Sequence, residues 1–551
     1  MLKRILHKTL FFTYFILFLI ILLGLILRIH NLSPFLLYPD SYQNLIVAQN
    51  IAAYHSVVGF LGVQGIVYPD YFMWTRPFYP LLIVLFSEVF QSSQSNAQFI
   101  SMGLGVIAIP VVFFFLSSLW QSKWAGLAGA FLLAVSFNHT IWSGFVMTET
   151  SGVFCMLLFL WTLFSISKTK KQTRQIVLAA LIFALAVLAR YEYIFLLFPI
   201  LLFLFYKTSK QLVLLFISIA IVLWTAIGWM LYPSETIQTI IVQQPAMLLM
   251  AGILVGIVSI SVLIYHWLKK KKQWLTIIRD KIPNLLIGII SIVLGFIILF
   301  GVPVTAGIRS FILHDLLVTL FSFIGIILLL HHKIYRHFAY FVVSCIFLLG
   351  TIYAIVNPAM ERYMTHLLPF FIIPASYGLL KTCMFIRDRR LALRLCGIGF
   401  IFILVVYQIM MTYQGLRSLN DPSWFAVSYE EQSAKMLKKY LQSGDLLVVS
   451  MPEPYYFFTG ASTVSVADAK PYLYVPSTLD HETVVVVDDI GMRTYFPEFS
   501  TLLQKSLKEY KFVSYPIAEQ FHYSDKDRKD SKMVIVYRLK LGTLRHKIAS
   551  Y

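Results

Sequence analysis

Apolar residues along this chain gather into long runs broken by short polar stretches. Runs long enough to cross a bilayer predict about thirteen helices. They are Leu10–Leu27, Phe99–Leu119, Trp124–Thr140, Thr150–Phe164, Ile176–Ala189, Tyr193–Tyr206, Leu212–Leu231, Ala246–Trp267, Leu285–Phe300, Leu316–Leu330, Phe338–Val356, Thr365–Leu380 and Leu395–Met411. One further apolar stretch, Phe78–Phe90, is short and contains Glu88, with Pro77 and Pro80 suited to a first helical turn. It reads as an interfacial or re-entrant helix. From Arg417 the pattern turns polar. Tyr429–Leu441 has helical spacing, with Ala434, Leu437 and Leu441 on one face, and Thr501–Tyr510 reads as a second helix. Leu446–Ser450, Val484–Val487 and Met533–Tyr537 read as strands. The expected fold class is a polytopic α-helical membrane protein with a small C-terminal α/β domain, divided into residues 1–416 and 417–551.

Composition supports a bilayer. Of the 551 residues 59% are hydrophobic and only 13% charged, too few to cover that apolar surface in water. The net charge of +19 does not point to nucleic acid, because the basic residues form short clusters between apolar runs. That is the pattern of cytoplasmic loops. Lys3, Arg4, His7 and Lys8 precede a first run that is longer than a signal peptide's and is followed by no small-residue cleavage site. An uncleaved first span with a cytoplasmic N-terminus is expected.

Sidedness then sorts the charges. The inside loops hold Lys123, the Lys168–Arg174 cluster, Lys207, Lys210, Lys269 to Lys272, Arg279, Lys281, Lys333, Arg336 and Lys381 to Arg394. The outside loops before Arg417 hold no lysine but five arginines: Arg28, Arg76, Arg190, Arg309 and Arg362. Counting Phe78–Phe90 as a span would put Lys168–Arg174 outside. By parity the C-terminal domain, which carries 16 of the 26 acids from Asp421 onward, is extracytoplasmic. None of the four cysteines lies in it, so no disulfide framework supports it. The expected location is the cell membrane.

The outside loops carry the candidate chemistry. A guanidinium offers phosphate a fixed, two-pronged cation; the simpler alternatives are snorkelling or pairing with a nearby acid. At least two of the five arginines are expected to line an anionic site. The acids on that side are Asp40, Asp70, Glu88, Glu149, Glu192, Glu235, Asp315 and Glu361. Ionisable groups at membrane depth are usually functional or paired. Glu192 follows Arg190 and Glu361 adjoins Arg362, so those two acids read as arginine partners. Asp40 and Glu149 have no such neighbour in sequence and are the better catalytic candidates. Asp40 opens a helix-like pattern, where it serves as an N-cap or as a general base. Asp488-Asp489, at a strand end, reads as a turn or as an ion- or sugar-binding pair.

These residues resemble the GT-C glycosyltransferases. Arg28 after the first span and the Asp-led helix Asp40-Ser41-Tyr42-Gln43-Asn44 are similar to that fold's first outside loop. Thr75-Arg76-Pro77-Phe78-Tyr79-Pro80-Leu81-Leu82 is similar to the Arg-Pro-Pro-Leu-Tyr-Pro-Leu-Leu element of the protein mannosyltransferase and aminoarabinose transferase branch. Ser143 to Glu149 looks like the second acidic loop, and Leu188-Ala189-Arg190-Tyr191-Glu192 and Glu361-Arg362-Tyr363 with Pro369 match recurring elements. The resemblance spans roughly residues 10 to 415. It implies inverting transfer of a sugar from a polyprenyl-phosphate or polyprenyl-diphosphate carrier to an extracytoplasmic protein, lipid or glycan. It implies Asp40 and Glu149 as catalytic residues and Arg76, Arg190, Arg309 and Arg362 as the donor-phosphate site. Tyr42, Tyr79 and Tyr363 would bind substrate. Many members have Asp-Glu where this chain has Asp40-Ser41, so divalent-metal use stays open and no cofactor is assigned. No Trp-Trp-Asp occurs in the C-terminal region, which argues against the oligosaccharyltransferase branch. The rival functions are a transporter or flippase of lipid-linked glycans, for which no internal repeat is visible, and a non-catalytic membrane scaffold.

Overall fold

The computed structural model describes residues 2–32, 39–54, 76–90, 94–166, 172–231, 306–332, 334–356, 361–419, 427–465, 483–489, 492–493, 497–506, 508–516 and 533–540. The expected spans Ala246–Trp267 and Leu285–Phe300 lie outside them, as do Asp70 and Glu235. The other expected spans all fall on apolar helices: Leu2–His30, Gln94–Trp120, Lys123–Val135 with Phe137–Trp142, Thr148–Ser165, Gln172–Ala189, Tyr191–Leu196 with Leu197–Lys207, Lys210–Leu231, Leu316–His331, Arg336–Val356, Leu368–Arg387 and Leu391–Leu419. Among the described residues, seven helices are long and apolar enough to cross a membrane, and five more apolar helices are shorter. The protein is a multi-pass membrane protein. Its outer helices show why water is the wrong solvent: Phe11, Phe18, Phe400, Phe402 and Ile403 are each more than half exposed, a surface that only lipid matches.

The chain divides into two compact units. The first comprises Met1–Leu32, Gln98–Met230 and Gln238–Arg417. Its helices start and stop where local chemistry dictates. Ser122 caps Lys123–Val135 by accepting from the Ala125 amide, and Ser136 both ends that helix in extended backbone and caps Phe137–Trp142. Pro369 sits in the first turn of Leu368–Arg387. That helix crosses Leu316–His331 backbone to backbone. A Cβ on Gly325 would collide with the Pro374 carbonyl, and one on Gly378 with that of Phe321, so only glycine permits this close approach.

The second unit joins Ser33–Ala97 and Leu231–Ile237 to Ser418–Tyr551. The segment 33–97, expected within the first domain, therefore clusters with the C-terminal region. It contributes helix Pro39–Tyr54 and the helix Phe78–Phe90, packed together through Val47, Ile51, Leu81 and Val84. The C-terminal part is α/β. Strands β1 (Leu446–Val449), β2 (Ser462–Ser465), β3 (Thr483–Asp488), β4 (Lys511–Pro516) and β5 (Met533–Lys540) form one sheet in the order β2-β1-β3-β5-β4. β1 runs parallel to β2 and β3, while β5 is antiparallel to β3 and β4. β1, β3 and β5 are the three strands expected from sequence. The two unforeseen strands are the edges, where Ser462, Ser465, Lys511 and Ser514 interrupt the apolar pattern. Val427–Leu437 and Pro497–Ser506, each followed by a 3₁₀ turn, take the place of the two expected helices. Helix Pro452–Thr459 connects β1 to β2 and ends on Gly460 in the left-handed conformation, its amide closing on the Tyr456 carbonyl at 2.8 Å.

Candidate active site

In the first unit a buried ionic cluster forms where three chain reversals meet. Helix Gln172–Ala189 ends at Arg190, which adopts extended backbone before the 3₁₀ turn Tyr191–Leu196. Its side chain reaches the first turn of helix Thr148–Ser165, where Nη1 lies 3.1 Å from the Thr148 hydroxyl and 3.5 Å from Glu149 Oε1. Nε lies 3.7 Å from Glu192 Oε2. Glu149 is also set at a helix N-terminus, where a carboxylate is favoured by the peptide dipoles. Gly152 leaves the passage open: a Cβ there would stand 2.7 Å from Arg190 Cγ. Glu192 is an arginine partner, as expected. Glu149, isolated in sequence, is not isolated in space.

The third element is the short helix Glu361–Met364. The Tyr363 ring lies 5.2 Å from the Arg190 guanidinium and 5.0 Å from that of Arg362, whose Nη2 donates to the Tyr363 hydroxyl at 3.2 Å. The same ring stacks on Tyr353 at 5.8 Å. Behind it His366 lies 3.3 Å from the Tyr193 hydroxyl. Four of the expected site residues, Glu149, Arg190, Arg362 and Tyr363, are thus brought together. Arg190 is fully buried and Glu149 nearly so, whereas Arg362 and Tyr363 are half-buried. Arg190, expected to hold phosphate, has its charge directed at two carboxylates and no exposed face. Arg362 is the more exposed of the two arginines. Arg309 lies on helix Ala306–His314, which packs against Glu361–Met364; its side chain lies outside the described residues.

Two other polar groups of this unit are structural. Arg28 is fully buried and donates to the Gly24 carbonyl at 2.8 Å, with His139 Nδ1 2.6 Å from Nη2. It fastens the first helix to the break between Lys123–Val135 and Phe137–Trp142. Asp315 accepts from the Phe137 and Asn138 amides at 2.9 and 3.3 Å and from the Asn138 side chain at 2.8 Å, capping the same break. Their roles depend on contacts more than a hundred residues distant in sequence, so no local signal announced them.

In the second unit Asp40 stands half-buried in the first turn of Pro39–Tyr54. Arg76 leads into Phe78–Phe90 and is half-buried. Tyr42 and Tyr79, expected to touch substrate, are fully buried instead. The Tyr42 hydroxyl donates to Glu431 Oε2 at 2.7 Å and that of Tyr79 to the Ala97 carbonyl at 2.7 Å. Both are anchors. Asp488 and Asp489 likewise turn inward. Asp488 pairs with Arg493 at 3.3 Å and accepts from Ser500 and Gln504. Asp489 accepts from Tyr455 at 2.6 Å and from the Met492 amide at 2.7 Å. These contacts tie the end of β3 to helix Pro452–Thr459 and to helix Pro497–Ser506. Among the described residues, no three His, Cys, Asp or Glu side chains converge to hold a metal.

The chain shares its fold with the solved structures of AglB and ArnT. Residues 75–232 match the family model described as dolichyl-phosphate-mannose-protein mannosyltransferase. No curated relative matches the chain. Among solved structures it is similar to the oligosaccharyltransferase AglB from Archaeoglobus fulgidus, in complex with an inhibitory peptide and a dolichol-phosphate: 13% identity, TM-score 0.59, covering 98% of this chain and 77% of that one. A structure of an Archaeoglobus fulgidus oligosaccharyltransferase in complex with zinc and sulfate gives 14% identity, TM-score 0.57 and coverage of 92% of this chain and 72% of that one. It is also similar to ArnT from Cupriavidus metallidurans bound to undecaprenyl phosphate: 12% identity, TM-score 0.56, covering 94% of this chain and 97% of that one.

Proposed function

We propose that this protein is an integral membrane glycosyltransferase that takes a sugar from a polyprenyl-phosphate-linked donor and transfers it, with inversion, to an extracytoplasmic acceptor. The observation that carries the reading is the correspondence with ArnT over nearly the whole of both chains, in a structure that holds undecaprenyl phosphate. The match to the mannosyltransferase model supports it, because the matched segment contains Arg76, Glu149 and Arg190. So does the joining of Glu149, Arg190, Tyr363 and Arg362 into one cluster.

In this reading Asp40 takes the proton from the acceptor hydroxyl. The freed oxygen attacks the anomeric carbon as the bond from that carbon to the phosphate oxygen breaks, and polyprenyl phosphate leaves. A phosphate needs no strong acid to leave, but its charge needs a fixed cation. Arg362 supplies one from a half-open position, and Arg76 and Arg309 are the further candidates. Arg190, neutralised by Glu149 and Glu192, holds the Tyr363 ring that Arg362 leans on.

The test is reconstitution of the purified protein in vesicles loaded with radiolabelled polyprenyl-phosphate mannose and, separately, other polyprenyl-phosphate sugars. Transfer of label to an acceptor fraction is expected, and Asp40→Asn should abolish it in protein that still folds. Movement of the intact donor across the bilayer without transfer would replace this reading with the flippase alternative.

A further inference from the structure

We propose that the C-terminal α/β domain positions the Asp40 helix, through a hydrogen bond from Tyr42 to Glu431 that is locked inside an aromatic and ionic ring. The inference rests on the reading of Asp40 as the base, but its geometry does not.

Tyr42 lies two residues after Asp40. Two residues along an α-helix is about 200° of rotation, so Tyr42 anchors the face turned away from the carboxylate. It is fully buried, and its hydroxyl meets Glu431 Oε2 at 2.7 Å. Its ring packs against Phe457 at 5.7 Å and edge-on against Phe458 at 5.8 Å. Both phenylalanines belong to helix Pro452–Thr459, which follows β1. The other oxygen of Glu431 pairs with Lys435 Nζ at 2.5 Å, and that ammonium lies 4.6 Å from the centre of the Phe458 ring. The contacts close on themselves: Tyr42, Glu431, Lys435, Phe458, and back to the Tyr42 ring. Burial first, and then the neighbouring Glu431 charge, hold the Tyr42 phenol far above its ordinary range, so it remains the protonated donor at any working pH.

The remaining contacts show what the ring holds. Further along the helix, Val47 and Ile51 pack on Leu81 and Val84 of Phe78–Phe90, on a side about 140–180° from Tyr42. The helix is therefore gripped on opposing faces, by the sheet domain near its N-terminal end and by Phe78–Phe90 beyond. The sheet domain supports its own side of the grip: Tyr455, two residues before Phe457, donates to Asp489 at the end of β3. Tyr42 and Glu431 are positioning residues. They are 389 positions apart in sequence, and a loose N-terminal turn would leave Asp40 aimed over a range of directions.

Hydrogen–deuterium exchange on the full-length protein tests this without any substrate. Tyr42→Phe removes the hydroxyl and keeps the ring, and Glu431→Ala removes the acceptor. Each should speed amide exchange in residues 39–54 about tenfold or more, as loss of a charge-assisted hydrogen bond predicts. Exchange in Thr148–Ser165 and in β3 should stay unchanged. Glu431→Gln, which keeps an acceptor oxygen, should restore most of the protection, and Tyr42→Phe with Glu431→Ala should loosen the helix no more than either alone. With the donor that the parent enzyme turns over, kcat of Tyr42→Phe should fall about tenfold or more with donor KM unchanged. Unchanged exchange in 39–54 overturns the proposal, and so does a loosened helix with full kcat. If Asp40→Asn remains active while Tyr42→Phe loosens the helix, the base assignment fails and the anchor stands.

Discussion

Arg190 Nη1 lies 3.5 Å from Glu149 Oε1, joining two helix ends that are 41 residues apart in sequence, in a pair with almost no solvent. A buried ion pair adds little net stability, but removing one partner strands the other. Arg190→Ala would leave Glu149 and Glu192 without their cation, and should lower stability by about 3–5 kcal/mol. Glu149→Gln should be milder, because Glu192 still balances Arg190 and the amide oxygen still accepts. Thermal melts of both variants in detergent check the order; equal losses would show that Glu192 does not share the charge.

Gly152→Ala should damage the same cluster without touching a charge. The added methyl would stand 2.7 Å from Arg190 Cγ and 3.4 Å from the His366 ring, so the arginine stem must move. Overpacking of this kind costs about 1–3 kcal/mol. We expect a lowered melting temperature, together with loss of activity in the protein that remains folded. Full activity would mean that the Arg190 position is not critical.

How much of this was legible beforehand follows from the range of each interaction. The apolar runs are set by residues adjacent in sequence, so the described spans fall on the helices they predict. Glu192 beside Arg190 was visible for the same reason. Glu149 beside Arg190, Asp315 beneath Phe137 and Tyr42 on Glu431 were not, because each partner is reached only by folding. Tyr42 and Tyr79 read as substrate contacts from motif position; their burial turns on elements no local pattern connects. The edge strands β2 and β4 were missed because one-sided pairing asks little of their sequence.

The C-terminal sheet should respond to pH through Asp489. Burial pushes its carboxyl above the usual range, with Asp488 acting in the same direction and hydrogen bonds from Tyr455, Met492 and Ser450 pulling against them. A carboxyl that holds its proton more tightly when folded stabilises the fold below its unfolded value of about 3.9. That contribution is lost as pH rises through the folded value. Asp489→Asn is neutral throughout, and the Tyr455 hydroxyl can turn to Ser433, 2.8 Å away. The melting temperature of the variant relative to the parent should therefore rise as the pH is raised above about 4. Parallel curves would remove Asp489 as the source.

Sidedness is open to direct labelling. Cys383 and Cys396 are exposed and would be replaced by serine, while Cys155 and Cys345 are buried. In that background Lys508→Cys, on an exposed turn after helix Pro497–Ser506, should react with an impermeant maleimide on intact cells, as an extracytoplasmic domain requires. Protection until lysis would reverse the topology read from the positive-inside pattern.

Arg362 is the arginine on which the donor assignment depends. It is half-buried, its guanidinium lies 5.0 Å from the centre of the Tyr363 ring, and its Nη2 donates to the Tyr363 hydroxyl at 3.2 Å. A guanidinium held against a ring keeps its plane fixed, and a planar fork is the geometry that phosphate oxygens match. A charge-assisted contact of that kind is worth roughly 1.5–3 kcal/mol. Arg362→Ala should therefore weaken binding of undecaprenyl phosphate by about ten- to a hundredfold. Arg362→Lys keeps the charge but loses the fork, and should recover only part of the affinity. If Arg362 serves only to hold Tyr363 and the loop around it, both variants should melt earlier while the folded fraction binds the lipid phosphate as the parent does. Binding and melting measured on the same purified samples separate the two roles, and unchanged affinity in folded Arg362→Ala would transfer the phosphate site to Arg76 and Arg309.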